Sequence, residues 1–178
     1  MMVNDDTTTS YPAEPFYKKT GLRFSCRRCS SCCRYSPGYV FLSIKDIRDL
    51  EEILGLSLPE LAVRYLRVVR IGGFFRVSLK ERDNFDCILW EDGGCLVYPK
   101  RPFQCRSFPF WSSLLASRDA WEAHARECPG IGSGRRYTCQ EIEAWQQVRL
   151  DERLIELVPE NGTAGLQELI RLLTEKEL

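Results

Sequence analysis

The chain has 178 residues, 44% of them hydrophobic and 11% aromatic, with a formal net charge of zero. That length supports one ordinary domain with its own core, and the charge balance excludes a protein that coats nucleic acid through an overall basic surface. No stretch approaches the ~20 apolar residues that a membrane-crossing helix needs, and nine cysteines accompany a single histidine.

The opening residues, MMVNDDTTTSYPAEPFYKKTG, hold neither a basic n-region nor an apolar h-region and do not read as a signal peptide. A cytoplasmic, reducing setting is therefore expected. Residues 1–16, rich in threonine and proline, are expected to form a flexible tail, and 17–178 a single domain. The stretch FSCRRCSSCCRY, which holds Cys26, Cys29, Cys32 and Cys33, lacks an amphipathic period and reads as a loop. GYVFLS, residues 38–43, reads as a short buried strand.

Ser43 and Asp46 resemble a capping box for a helix striped by Ile44, Ile47, Leu50 and Ile53 or Leu54 and ended by Gly55. Ser57, Pro59 and Glu60 open a second helix, SLPELAVRYLRVV, with Leu61, Tyr65 and Val68 along one face. After Gly72 and Gly73, FFRVSLK alternates as a strand. FDCILW and CLVYP flank the turn EDGG and predict a small hairpin carrying Cys87 and Cys95. RPFQCRSFPFW predicts a short helical turn that ends at Pro109 and holds Cys105. Ser117 starts the helix SRDAWEAHAREC, which PGIGSG stops, leaving Cys128 at its C-terminal edge. Helices over about 138–157 and about 163–176, split by PENG, complete the chain. The expected fold class is α+β: a helix-rich single domain whose short strands, hairpins and loops converge on a cysteine-lined centre.

Nine cysteines in a reducing compartment argue against a disulfide framework and for metal ligation. Thiolates are soft and anionic, and they bind zinc, iron–sulfur clusters and copper(I). His124 falls mid-helix among charged residues and reads as an exposed helical side chain, so the expected site is sulfur-ligated. Cys26, Cys29 and Cys32 form overlapping C-x2-C knuckles. They also match the start of the run that wraps a cubane iron–sulfur cluster, whose closing Cys-Pro is matched by Cys128 and Pro129.

Neighbouring Cβ atoms of an extended backbone point to opposite sides. Cys32 and Cys33 are therefore expected to address two metals, or two edges of a polynuclear centre. Cys139, at a helix start, reads as a packed thiol. Eight candidate ligands remain, enough for two sets of four: Cys26, Cys29, Cys32, Cys33, Cys87, Cys95, Cys105 and Cys128. Eight thiolates around two Zn²⁺ ions leave net negative charge. Arg23, Arg27, Arg28, Arg34, Lys100, Arg101 and Arg106 lie near the cysteines in sequence and can offset it.

The ordered blocks CRRCSSCCR, CILWEDGGCLVYPKRPFQCRSFPFW and ECPGIGSG, spanning about 24–134, resemble the YkgJ-type CxxCxxCC cysteine-cluster family, described as zinc- or iron-chelating. The resemblance implies metal chelation by the eight cysteines, with no established reaction. Many relatives carry glycine before the vicinal pair where this chain has Ser31, and serine resists a positive φ there. Bacterial flagellin lysine methylases share the cluster but are much longer, so methylation here would be analogy.

Other readings are an iron–sulfur or metal-dependent enzyme or electron carrier, or a partner-binding module presenting RPFQCRSFPFW. Phe103, Phe108, Phe110 and Trp111 read first as core, and EDGG, with Asp83 and Asp86 nearby, as turn rather than acid–base machinery. Tyr35 and Tyr98 carry no spacing signal.

Overall fold

A computed structural model describes residues 14–158 and 165–175. Residues 1–13 of the expected tail, the PENG break and the ends of the last helix lie outside the described residues. Phe16 packs edge-on against the buried Tyr17, ring centroids 5.2 Å apart.

Strand β1 (Leu22–Phe24) enters the cysteine loop, whose regular piece is a single 3-10 turn at Ser31–Cys33. GYVFLS then runs extended along a neighbouring strand. The Leu42 N–H donates to the Val77 carbonyl, but Val40 and Phe41 donate instead to the Ser78 hydroxyl and the Gln104 side chain. Side-chain acceptors thus leave the expected strand as isolated bridges to Ser78 and Leu154.

Helix α1 (Ile44–Leu54) begins with the expected capping box: the Ser43 hydroxyl accepts from the Asp46 N–H at 3.1 Å, and Asp46 accepts from the Ser43 N–H at 2.9 Å. Gly55, at φ 62°, supplies the left-handed residue that ends it. Helix α2 (Leu58–Tyr65) starts where Glu60 accepts from the Ser57 N–H at 2.9 Å.

The second helix stops sooner than its periodicity predicts. Leu66–Ile71 is strand β2, paired antiparallel with β3 (Phe74–Leu79) from Leu66↔Leu79 to Ile71↔Phe74. Val68, Val69 and Ile71 are β-branched and prefer the pleated backbone, and Gly72 at φ 60° turns the hairpin.

The hairpin of β4 (Trp90–Glu91) and β5 (Gly94–Cys95) is minimal, and positive φ at Asp92 and Gly93 is what a tight hairpin turn requires. Cys95 lies in it; Cys87 lies just before it, bridged to Glu81. A second 3-10 turn (Tyr98–Lys100) leads to α3 (Phe103–Arg106), which holds Cys105, then α4 (Ser112–Leu115). Helix α5 (Arg118–Ala125) is capped by Ser117, whose hydroxyl accepts from the Ala120 N–H.

PGIGSG, expected only to stop that helix, instead runs into strand β6 (Ile131–Tyr137), paired with β1. Helix α6 (Cys139–Asp151), opened by a Thr138–Glu141 capping box, ends short of the expected 157. Its continuation turns extended: the Ile155 N–H donates to Leu42, and β7 (Glu156–Leu157) adds to β3, giving the order β2-β3-β7. Helix α7 (Leu166–Glu175) completes an α+β fold.

Two apolar clusters result. One packs Ile47, Leu50, Leu61, Leu66, Val77, Leu157 and Leu169 between α1, α2, α7 and the three-stranded sheet. The other gathers Tyr17, Phe24, Phe110, Trp121, Ile131 and Ile142 around the β1–β6 pair. Cys87 and Cys95 pack against the first and Cys128 against the second, so cysteines mark the seam between them. No helix among the described residues is long and apolar enough to cross a membrane.

Candidate metal centre

All eight candidate cysteines line one cavity of about 280 Å³. The far-apart blocks meet through the backbone: Cys87 N–H donates to the Cys33 carbonyl at 2.8 Å, and Ser25 N–H donates to the Gly130 carbonyl at 3.1 Å. Gly130 permits that second approach, because a Cβ there would stand 2.6 Å from the Ser25 oxygen. Cys105 reaches the cavity from α3, whose first N–H, on Phe103, is held at 2.7 Å by the buried Asp46 carboxylate. Among the described residues no three His, Cys, Asp or Glu side chains are already drawn together as a metal-ion group; the eight cysteines are spread along the cavity lining.

The vicinal pair departs from the extended geometry expected of it. In the 3-10 turn the Cys32 and Cys33 sulfurs stand 3.7 Å apart and both line the cavity, so they do not diverge. The left-handed residue before the turn is Ser30, at φ 65°, rather than Ser31; Arg28 and Tyr35 also take positive φ. The hydrogen bond with Cys33 brings the Cys32 thiol down to about 7, with Arg101 adding to the effect. The same bond, then burial, pushes Cys33 up. Burial raises Cys87 to about 11 and lifts Cys95, Cys105 and Cys128 as well. An entering metal would therefore displace protons from most of these thiols.

The nearby cations divide by task. Arg34 donates to the buried Asp86 at 3.0 Å and lies 3.8 Å over the Trp90 ring. Lys100 pairs with Asp49 and Glu52, Arg106 faces Glu152, and Arg23 holds the Gly134 carbonyl. Arg27, Arg28 and Arg101 line the cavity, with the guanidinium carbons of Arg28 and Arg101 4.3 and 3.9 Å from the Tyr98 ring centroid. Arg101 Nε is buried without a hydrogen-bond partner. A metal-bound thiolate is the acceptor that such an N–H lacks, so the donor set and its orphaned N–H both suit a soft, sulfur-ligated metal.

His124 departs from its sequence-based expectation. His124 is half-buried and lines the cavity, contrary to the expectation of an exposed helical side chain. Its spacing four residues before Cys128 is the signal that sequence offers. Asp86, expected only as a neighbour of the EDGG turn, is 2% exposed and ion-paired. Phe103 and Phe110 are core, Phe108 packs against the second cluster and also forms part of the cavity wall, and Trp111 is half-buried with its indole N–H donated to the Gln104 carbonyl. Cys139 lies apart, packed against the second cluster and bonded to Glu143.

A groove of about 480 Å³ adjoins the cavity, sharing Cys32, Cys33, Cys87, Cys105 and His124 with it.

The fold and site thus define an α+β protein built around a thiol-lined cavity. The chain belongs to the CxxCxxCC family, whose model is described as "Putative zinc- or iron-chelating domain" and matches residues 25–129. No solved structure matches the chain.

Proposed function

We propose that the chain is a metal-binding protein in which Cys26, Cys29, Cys32, Cys33, Cys87, Cys95, Cys105 and Cys128 hold zinc or an iron–sulfur centre. The observation that carries this reading is that eight cysteines from distant segments line one cavity. Closed four-thiolate zinc is structural; an iron–sulfur centre adds electron transfer. The protein's part is the same in either case: Arg27, Arg28 and Arg101 offset thiolate charge, and the two clusters hold the ligand-bearing segments in place.

Elemental analysis and a visible spectrum of anaerobically isolated protein test the proposal. Zinc predicts about two ions per chain and no colour, since eight thiolates fill two tetrahedral sets. An iron–sulfur centre predicts iron, sulfide and a brown sulfur-to-iron charge-transfer band. Protein isolated with neither metal overturns it.

The adjoining groove favours a second reading, a metal-dependent enzyme or electron carrier whose centre is open to a small molecule. Its wall holds Tyr39, Trp111 and Gln104 beside the shared cysteines. A metal spectrum insensitive to every small ligand offered, with all positions filled by thiolate, argues against it.

A further inference from the structure

His124 lines both the cysteine cavity and the groove beside it. The Cys128 N–H donates to the His124 carbonyl at 2.9 Å, so a helical turn continues from α5 to Cys128. Side chains four residues apart on a helical turn share a face. The His124 Nδ1 lies 2.9 Å from the Ala120 carbonyl oxygen. A carbonyl can only accept, so Nδ1 carries a proton, and in the neutral ring Nε2 keeps its lone pair. Metal-ligating histidines are held in this way, with one ring nitrogen tied to a protein acceptor and the other left for the metal.

The cysteines divide unevenly around this point. Cys32 and Cys33 stand sulfur to sulfur at 3.7 Å, and Cys33 is bonded through its carbonyl to Cys87. Cys87 and Cys95 pack on the first cluster, while Cys32, Cys33, Cys87 and Cys105 together wall the groove. Those five form an inner group. Cys26, Cys29 and Cys128 line the cavity but neither wall the groove nor pack on the first cluster, and the Ser25–Gly130 hydrogen bond sets the start of the cysteine loop against the turn after Cys128. Three thiols are one donor short of a tetrahedral set.

We infer that His124 Nε2 is the fourth donor of a Cys3His metal site completed by Cys26, Cys29 and Cys128. The inference rests on the metal-binding reading above and changes its ligand set: the centre is not wholly sulfur-ligated. The five inner thiols serve the remaining metal, and the vicinal pair contains the sulfur in excess.

X-ray absorption at the edge of the bound metal, together with metal content after dialysis against a chelator, tests this on the full chain. Wild-type protein is compared with H124A and H124C. For zinc, the wild-type shell is expected to include an imidazole component at about 2.0–2.1 Å beside sulfur at about 2.3 Å. H124A loses that component and roughly half of the metal, the share of one site in two. H124C retains the metal with a shell of sulfur alone. A wild-type shell of sulfur only, or an H124A protein with unchanged shell and content, overturns the histidine ligand while metal binding stands. Wild-type protein without metal overturns the underlying reading instead. Should H124A not fold, H124C decides: an unchanged light-atom component in it overturns the proposal.

Discussion

Arg101 is the cation whose charge reaches most of the inner thiols, lowering Cys32, Cys95 and Cys105 against burial, which still leaves the last two raised. Its Nε is buried with no partner. Replacing it by methionine keeps the packing stem and removes the charge. R101M is expected to weaken metal binding about 10–100-fold, the usual effect of losing a group that orients or neutralises ligands, with R101K recovering part of it; competition against a chromophoric chelator measures both. Asp86 belongs to stability instead. Its bond to Arg34 holds its carboxyl below the ordinary range. The stabilisation is therefore present above the unfolded value of about 3.9 and is lost as pH falls through the depressed folded value. The melting-temperature gap between wild type and D86N should be full at neutral pH and close in acid; a gap that widened in acid would contradict the pairing. The cysteines themselves were legible from spacing, because C-x2-C is a local property. Asp86 and His124 were not, because burial depends on what packs over a residue.

The caps show how a helix start can govern a distant thiol. Ser43 and Asp46 cap α1 and are both buried, and Asp46 also holds the Phe103 N–H that begins α3. S43A is expected to cost about 0.5–2 kcal/mol. D46A removes the cap and also leaves a buried N–H unpaired, adding about 1–3 kcal/mol, and it frees the element that carries Cys105. Urea unfolding measures the first effect and metal affinity the second. Between β1 and β6 Gly130 is one of the sensitive positions. G130A forces its new Cβ against the Ser25 carbonyl, so metal content should fall while the helical circular dichroism of α1 and α2 persists. The starts of α1 and α2 were readable because a capping box is written within four residues. Strands β6 and β7 were not, because each is stabilised by a partner far along the chain, and β2 was hidden because its residues continue the helical period of α2; α2 and α6 accordingly end sooner than their periodicity suggests.

The two apolar clusters meet at the cysteine seam, and that arrangement sets the consequence of metal removal. A structural zinc site contributes about 10–16 kcal/mol of apparent binding energy, comparable with the roughly 5–15 kcal/mol by which a whole domain is stable. Stripping the metal should therefore release the segments 23–36 and 85–130 while α1 and α2 stay folded on the first cluster. Hydrogen exchange is expected to rise in those segments and remain slow in Ile47, Leu50 and Leu61; uniform loss of protection would show that the metal supports the entire fold.

Chemistry that depends on residue type and short spacing could be read directly from the chain: soft sulfur donors, their knuckles, the capping boxes, the tight acidic turn. The packing alone showed that Cys32 and Cys33 lie side by side, that Arg101 rather than Arg34 faces the thiols, and that His124 borders the cavity. Ligand type is a property of single side chains. Their grouping is set by how two clusters, assembled from segments a hundred residues apart, bring those side chains to a common space.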